Sequence, residues 1–540
     1  MGKPYRTGHM TKHRLQTFEL RKPVVASAGG IVASQSLDAA RAGVEILQAG
    51  GNAVDAAVAT GLALAAVEPW MSGLGGGGYM MVYTEADDRV RAVDFGMIAP
   101  AMLDPADYPL AEGTDSGLFG WPAVVDGRNL KGVLSVAVPG QVDGMRLALE
   151  SFGRLSWREV VKPAIRLAEE GLPLDWYGSL SIAIAARELA EFAAARDVYL
   201  PGGLPPAPGS EGSPPRLRLG NLAATLRHLA EAGPRDFYEG DLARSIAADM
   251  AAGGGRLSAG DLAAYRATLV DPLEIAHGDA RIAAAPGLTA GPTLARTLAL
   301  MEPGLPAAAR REGRPDGASY AAIAAALETA YAERLAGSGG DGEPPSRPSV
   351  APVASCTSHL SVVDRDGNMV ALTQTLLSRF GSKVLLPGSG IMMNNGIMWF
   401  DPRPDRPNGI APGRRPLSNM CPVIARMADG RRVALGASGG RRIMPAVAQL
   451  LSFLADFGMD LEAAFHCPRL DVSGGGSAVL DARLAPDVLA AVERVMPAAA
   501  AELAAYPVLF ASPSATLRRD GRNEGMADIA SPWSGAAAEP

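Results

Sequence analysis

The sequence predicts an α+β fold, on three observations. The middle of the chain, Ser156 to Ala336, carries helical periodicity almost throughout. After Thr357 the pattern changes to short strands. Near the N-terminus a buried strand and two helices lead into a glycine run and a further strand. Helices and strands gathered into separate runs point to α+β rather than to regular βαβ alternation.

In chain order, Val24 to Gln35 reads as one buried strand of small residues, and Ser36 to Ala49 as a helix with apolar residues at Ala40, Val44, Ile46 and Leu47. Gly50-Gly51 ends that helix, Asn52 caps the next one, Ala53 to Val67, and Pro69 stops it. Gly73 to Gly78 holds five glycines in six positions and precedes the apolar strand Tyr79 to Tyr83. A phosphate loop is disfavoured there, since the strand-loop-helix order and the Gly-Lys-Ser/Thr ending are missing; close backbone packing is the better reading. Within the helical middle, Asp236 to Gly253 is amphipathic, Ser258 caps a helix to Tyr265, Ser319 to Leu335 is helical, and Leu200 to Pro215 reads as a surface loop. Beyond Thr357, Leu360–Val363 and Met369–Thr373 flank Asp366-Gly367, a hairpin turn.

Composition narrows the function. The chain has 540 residues, 48% of them hydrophobic, enough for a large core. A net charge of −7 leaves no basic footprint for nucleic acid. Three cysteines (Cys356, Cys421, Cys467) and six scattered histidines suggest neither a disulfide framework nor a metal site. The polar, basic segment 1–23 lacks the apolar core of a secretory signal and is expected to be disordered; Ala53 to Val67, the longest apolar run, is too short to span a bilayer. A cytoplasmic protein without membrane or nucleic-acid partners is the expectation.

The chemistry converges on Thr357. A Gly/Pro/Ser-rich run, Gly337 to Pro352, ends just before Cys356-Thr357-Ser358-His359. A threonine with a free α-amine carries nucleophile and general base on one residue, which requires a cut between Cys356 and Thr357. From this local pattern alone, a surface loop entering an ordinary strand is the simpler reading. Antiparallel pairing across the hairpin brings Thr375 toward the start of the first strand, where its hydroxyl could orient the nucleophile. The strand ending in Ser438 passes through Gly439-Gly440 into a helix, and backbone N–H groups at such a start can hold an oxyanion, although most Gly-Gly pairs there are only turns.

Taken in order, the residues resemble γ-glutamyltransferases (glutathione hydrolases), self-cleaving members of the N-terminal-nucleophile (Ntn) hydrolase superfamily. The matching pieces are Gly50 to Ala56, Glu68-Pro69, Gly73 to Gly78, Asp94-Phe95 with Ala99-Pro100, Phe237 to Gly240 and Leu257 to Tyr265. Thr357-Ser358-His359, Asp364 to Asn368, Asn394-Asn395, Arg415 to Ser418 and Ser438-Gly439-Gly440 complete the set. This ordered set overturns the surface-loop reading of Thr357.

The resemblance implies an αββα sandwich of two antiparallel sheets, assembled from a heavy subunit (24–356) and a light catalytic subunit (357–540) after self-cleavage at Cys356–Thr357. It implies Thr357 as nucleophile, its own amine as base, Thr375 as the positioning hydroxyl, and Gly439 and Gly440 as oxyanion donors. No cofactor or metal is implied. The implied partners are a small-molecule amide and the two subunits of one precursor, with a dimer of heterodimers left open.

Departures from the family pattern fall where an amino-acid head is held. Leu377 replaces an Asn, Gly396 a Gln or Glu, Trp399 an Asp, and Asn419 the second Ser of a pair whose first, Ser418, is kept. The expected Arg after Asp94-Phe95 is missing, and the loop Asp401 to Gly413 is short for a lid. Ser418, Asn419 and Arg441 are therefore the candidate substrate-binding residues, Arg441 for a simple carboxylate, with a structural salt bridge as its equal alternative. The expected activity is amide hydrolysis of an oxamate-like or dicarboxylic monoamide, such as a glutaryl amide. A true γ-glutamyltransferase or transpeptidase is the rival, and a non-catalytic binding protein the remoter one. His359 is read as structural.

Overall fold

The computed structural model describes residues 19–114, 120–209, 211–337, 355–506 and 508–540. Two seven-stranded sheets form the centre, and every strand pair within them is antiparallel. The first runs Val25–Ser27, Arg522–Ala527, Ser512–Arg519, Arg432–Ser438, Val423–Arg426, Ala280–Ala284, Leu273–His277. The second runs Gly535–Ala538, Ile31–Ser34, Ser355–Val363, Met369–Ser378, Gly77–Thr84, Arg89–Phe95, Thr268–Val270. One apolar core lies between the sheets, joining Tyr79, Met81, Val363 and Met369 to Ala283, Ile424 and Ala434. A second packs the helices Leu37–Gln48 and Ala53–Val67 on the outer face of one sheet, and a third packs Gly291–Met301, Gly317–Gly337 and Ile443–Ala455 on the other. The layers are therefore α, β, β, α, as the resemblance implies.

Local signals set most element ends. Ser36 caps Leu37–Gln48 through its hydroxyl, and Asn52 forms a reciprocal capping box with Asp55 at the start of Ala53–Val67. That second helix is buried along its whole length, which explains its lack of a polar face. Ser258 caps Ala259–Ala264 in the same way.

Two expectations change, and a third lies mostly outside the described residues. The strand expected over Val24 to Gln35 is two strands, turning at Ala28–Gly30 and entering different sheets, because the partners of Val25–Ser27 and Ile31–Ser34 lie hundreds of residues away. The helix expected over Asp236 to Gly253 breaks at Gly240, where the Asp236 carboxylate accepts from the backbone N–H groups of Asp241 and Leu242 and starts a new helix. Residues 1–18 of the segment expected to be disordered, and residues 338–354 of the run before Thr357, lie outside the described residues. The described end of that N-terminal segment is anchored: the Lys22 ammonium donates to the carbonyls of Asp528 and Ser531 at 2.7 Å and of Ser534 at 2.8 Å.

Asp55 is a heavily used buried carboxylate of the helical layer. Its oxygens accept from the backbone N–H groups of Asn52 (2.7 Å), Arg154 (3.0 Å) and Leu155 (3.1 Å), tying the helix start to a distant turn. Asp55→Ala would strand three backbone donors, one buried and two half-buried, at about 1–3 kcal/mol each. In a chain kept whole by Thr357→Ala, denaturant unfolding should show a loss of at least about 3 kcal/mol; a loss under about 1 kcal/mol would contradict this account.

Candidate active site

Thr357 lies near the start of Ser355–Val363, paired with Met369–Ser378. The register slips there: Cys356 faces Leu377 and Ser358 faces Gln374, so two residues, Thr375 and Leu376, oppose Thr357 alone. The glycine run makes this irregularity possible. A Cβ at Gly76 or Gly78 would collide with the Thr375 or Thr373 carbonyl oxygen, so only glycine lets the strand pass so close. The sequence reading of close backbone packing holds.

The two threonine hydroxyls meet beside the slip. Thr357 Oγ1 is 3.3 Å from Thr375 Oγ1 and 2.8 Å from the carbonyl oxygen of Cys356, its own preceding peptide. Thr375 Oγ1 accepts from the Leu377 N–H at 2.8 Å and donates its proton to the same Cys356 oxygen. Leu377 sits at φ +88°, a left-handed conformation unusual for a leucine, and so aims its N–H at that hydroxyl. Thr357 is 4% exposed, its hydroxyl covered by the intact Cys356 peptide.

Behind Thr357 a buried polar chain fixes the strand. Gln374 Nε2 donates to Ser72 Oγ, which bonds Ser358 Oγ, which donates to Glu68 Oε2 at 2.8 Å. Burial pushes the Glu68 carboxyl up to about 8, against the pull of Ser358 and the Arg379 guanidinium. Gln35 accepts from the His359 N–H and donates to Ser438 Oγ, linking the strand that carries Thr357 to the residue before Gly439. Gly439 and Gly440 adopt φ +133° and +62°, conformations that favour glycine, and the short turn Gly440–Arg442 packs against the strand carrying Thr357.

Other expected residues are arranged differently. Ser418 is buried, its carbonyl accepting from Arg334 at 2.6 Å and its hydroxyl from the Met420 N–H at 3.3 Å. Asn419 is buried with neither amide atom hydrogen-bonded among the described residues. Arg441 does not line the cavity beside Gly439; it stacks over the Tyr331 ring and donates to the Ser473 carbonyl. Its backbone leaves the turn toward the helix Gly317–Gly337, so its neighbour Arg442 is the one that reaches the cavity. Arg415, part of the matching set, bonds Asp94 at 2.8 Å. Leu377, Met97, Met398, Trp399 and Met420 form one apolar cluster, filling the region where the resemblance implies a charged clamp.

A cavity of about 220 Å³ opens beside Gly439, walled in part by Gln35, Glu68, Tyr177, Arg379, Ser438 and Arg442. Sequence reasoning missed Gln35 and Arg379 as site residues, and quoted Glu68 only as part of a Glu-Pro match. Among the described residues no cluster of His, Cys, Asp or Glu could hold a metal, and no helix is long and apolar enough to cross a membrane.

The sequence model described as gamma-glutamyltranspeptidase matches residues 39–346 and 343–529. The chain is similar to the acylase ACY 1 proenzyme of Pseudomonas sp. (strain V22), 35% identical over 84% of each chain. It is also similar to the glutathione hydrolase proenzyme of Escherichia coli (strain K12), 32% identical over 82% of this chain and 81% of the relative. Among solved structures, cephalosporin acylase from Bacillus halodurans superposes with a TM-score of 0.80 at 25% identity, covering 98% of this chain and all of that one.

His359 lies two residues past Thr357 but is enclosed between the sheets, its ring nitrogens bonded to Thr373 Oγ1 (2.8 Å) and Ser361 Oγ (3.0 Å). Burial pushes its imidazole down to about 3. The unfolded ring takes a proton near 6.5 and the folded one does not, so this group favours unfolding increasingly as pH falls from about 6.5 toward 3. Its imidazole NMR signals should stay unchanged from pH 5 to 8; a midpoint near 6.5 would overturn the structural reading.

Proposed function

Because the chain belongs to the gamma-glutamyltranspeptidase family, we propose that it is a self-processing amidohydrolase that cleaves amides whose acyl group lacks a γ-glutamyl head. The observation that carries this reading is the Thr357–Cys356–Thr375 triangle, in which the nucleophile, the scissile carbonyl and a hydrogen-bond donor to that carbonyl already touch.

In the intact chain, Thr357 Oγ1 attacks the Cys356 carbonyl carbon. The Thr375 hydroxyl donates to the oxygen as negative charge builds on it. The C–N bond breaks, the amide nitrogen gains the hydroxyl proton, and the resulting ester is hydrolysed by water. A heavy subunit ending at Cys356 and a light subunit beginning at Thr357 result. The freed α-amine of Thr357 then serves as base for its own hydroxyl. In turnover, Oγ1 attacks the substrate amide, Gly439 and Gly440 N–H groups hold the oxyanion, and the amine departs with the proton. Water then cleaves the acyl-threonine ester.

The substrate preference is supported by what fills the amino-acid clamp. An Asp and an Arg holding a zwitterion make strong charge-assisted bonds. Here Trp399 stands for the Asp and the surroundings are Met97, Met398 and Leu377, which offer a zwitterion nothing to replace its lost water.

Intact mass under denaturing conditions should give two species split before Thr357, with Thr357→Ala remaining one chain and Thr375→Val cutting at least about tenfold more slowly. A single uncut, inert wild-type chain would overturn self-processing. In parallel assays, oxamate or a glutaryl amide should exceed glutathione in kcat/KM by at least about tenfold, the scale of one lost charge-assisted contact. Glutathione matching the best substrate would restore the γ-glutamyl reading.

A further inference from the structure

Arg379 follows directly on the strand that carries Thr375, one residue past the Ser355–Ser378 pair, and its side chain walls the cavity beside Gly439. Its Nη1 is enclosed and has no hydrogen-bond acceptor among the described residues. Nor does Arg379 form an ion pair among them, although Glu68, Cys356 and Tyr177 all lie within its field. The other cations nearby are engaged. Arg442 donates to the Val508 carbonyl at 3.2 Å and faces Asp471, while Lys383 reaches Ser378, the Gly381 carbonyl and Glu188. An enclosed guanidinium donor with no acceptor is costly unless a ligand supplies one.

We propose that Arg379 reads substrate charge: its guanidinium binds a carboxylate on the amide substrate, held in the cavity that opens beside Gly439. This assignment rests on the amidohydrolase reading above, and it gives to Arg379 the carboxylate-holding part that the sequence suggested for Arg441. The planar fork of an arginine matches the two oxygens of a carboxylate. Glu68, an acidic wall residue within the field of Arg379, has its carboxyl pushed up to about 8 by burial, so near neutral pH it competes weakly for the guanidinium. The rest of the wall includes Tyr177, Phe510 and Trp533, surfaces suited to an apolar or aromatic body between the carboxylate and the amide. The carboxylate can sit on the acyl part or on the amine part of the substrate; either would place an anion in reach of the same fork.

Calorimetric binding separates these cases without relying on turnover. The purified protein, Arg379→Gln and Arg379→Lys are titrated with glutarate against glutaramide, and with 4-aminobenzoate against 4-aminobenzamide. Wild type should prefer at least one acid over its neutral partner by about 10- to 100-fold, the worth of a charge-assisted pair. Arg379→Gln should reduce that ratio to near one, and Arg379→Lys should fall between, keeping charge but losing the fork. The glutarate pair responding alone puts the carboxylate on the acyl side; the aminobenzoate pair alone puts it on the amine side. An acid preference unchanged in Arg379→Gln, or no preference in wild type for either pair, overturns the assignment. An Arg379-dependent preference in a protein that hydrolyses no amide would instead sink the hydrolase reading and leave the Arg379 site standing.

Discussion

The register between Ser355–Val363 and Met369–Ser378 is the constraint from which the site is built. Where two residues must face Thr357 alone, the ladder cannot continue, and the backbone groups it would have used are redirected. The Leu377 N–H turns to Thr375 Oγ1, and that hydroxyl turns to the Cys356 carbonyl. A fault of one residue in an otherwise regular hairpin thus converts a strand into a reactive arrangement. The strain at Leu377 is tolerated because the side chain is enclosed in an apolar cluster that fixes it from all sides.

Around that fault the surroundings divide into a rigid side and an open side. The chain from Gln374 through Ser72 and Ser358 to Glu68, with His359 locked between hydroxyls, holds the strand from behind. The cavity beside Gly439 lies on the open side, where the walls are aromatic and Arg379 brings charge. A family with one nucleophile can change substrates by altering the walls while the rigid side stays the same.

Much of this was legible in the sequence, for a physical reason. Caps and turns are local: Asn52, Ser258 and Asp366-Gly367 each act on neighbours within a few residues, and all three lie where the pattern put them. The meeting of Thr357 and Thr375 follows from hairpin pairing alone. What escaped was set by partners far along the chain. The division of Val25–Ser34 between two sheets depends on strands near residues 360 and 525. The choice between Arg441 and Arg442 depends on how one turn of 3₁₀ helix is rotated against Tyr331, and no periodicity encodes that rotation. Glu68, Gln35 and Arg379 are single polar residues whose neighbours come from opposite ends of the molecule, so each reads locally as unremarkable.

In each sheet, strands from before and after residue 357 are laid side by side. In the first sheet four strands from the later part are flanked by strands from the earlier part, and in the second the two parts interleave. A backbone cut at Thr357 would leave two polypeptides, neither of which owns a complete sheet. Loop closure would no longer bring them together, and recovery from unfolding would become a bimolecular search by two chains with exposed strand edges. Folding must come first and scission second. From then on the molecule's lifetime is governed by its rate of opening rather than by an equilibrium it can revisit.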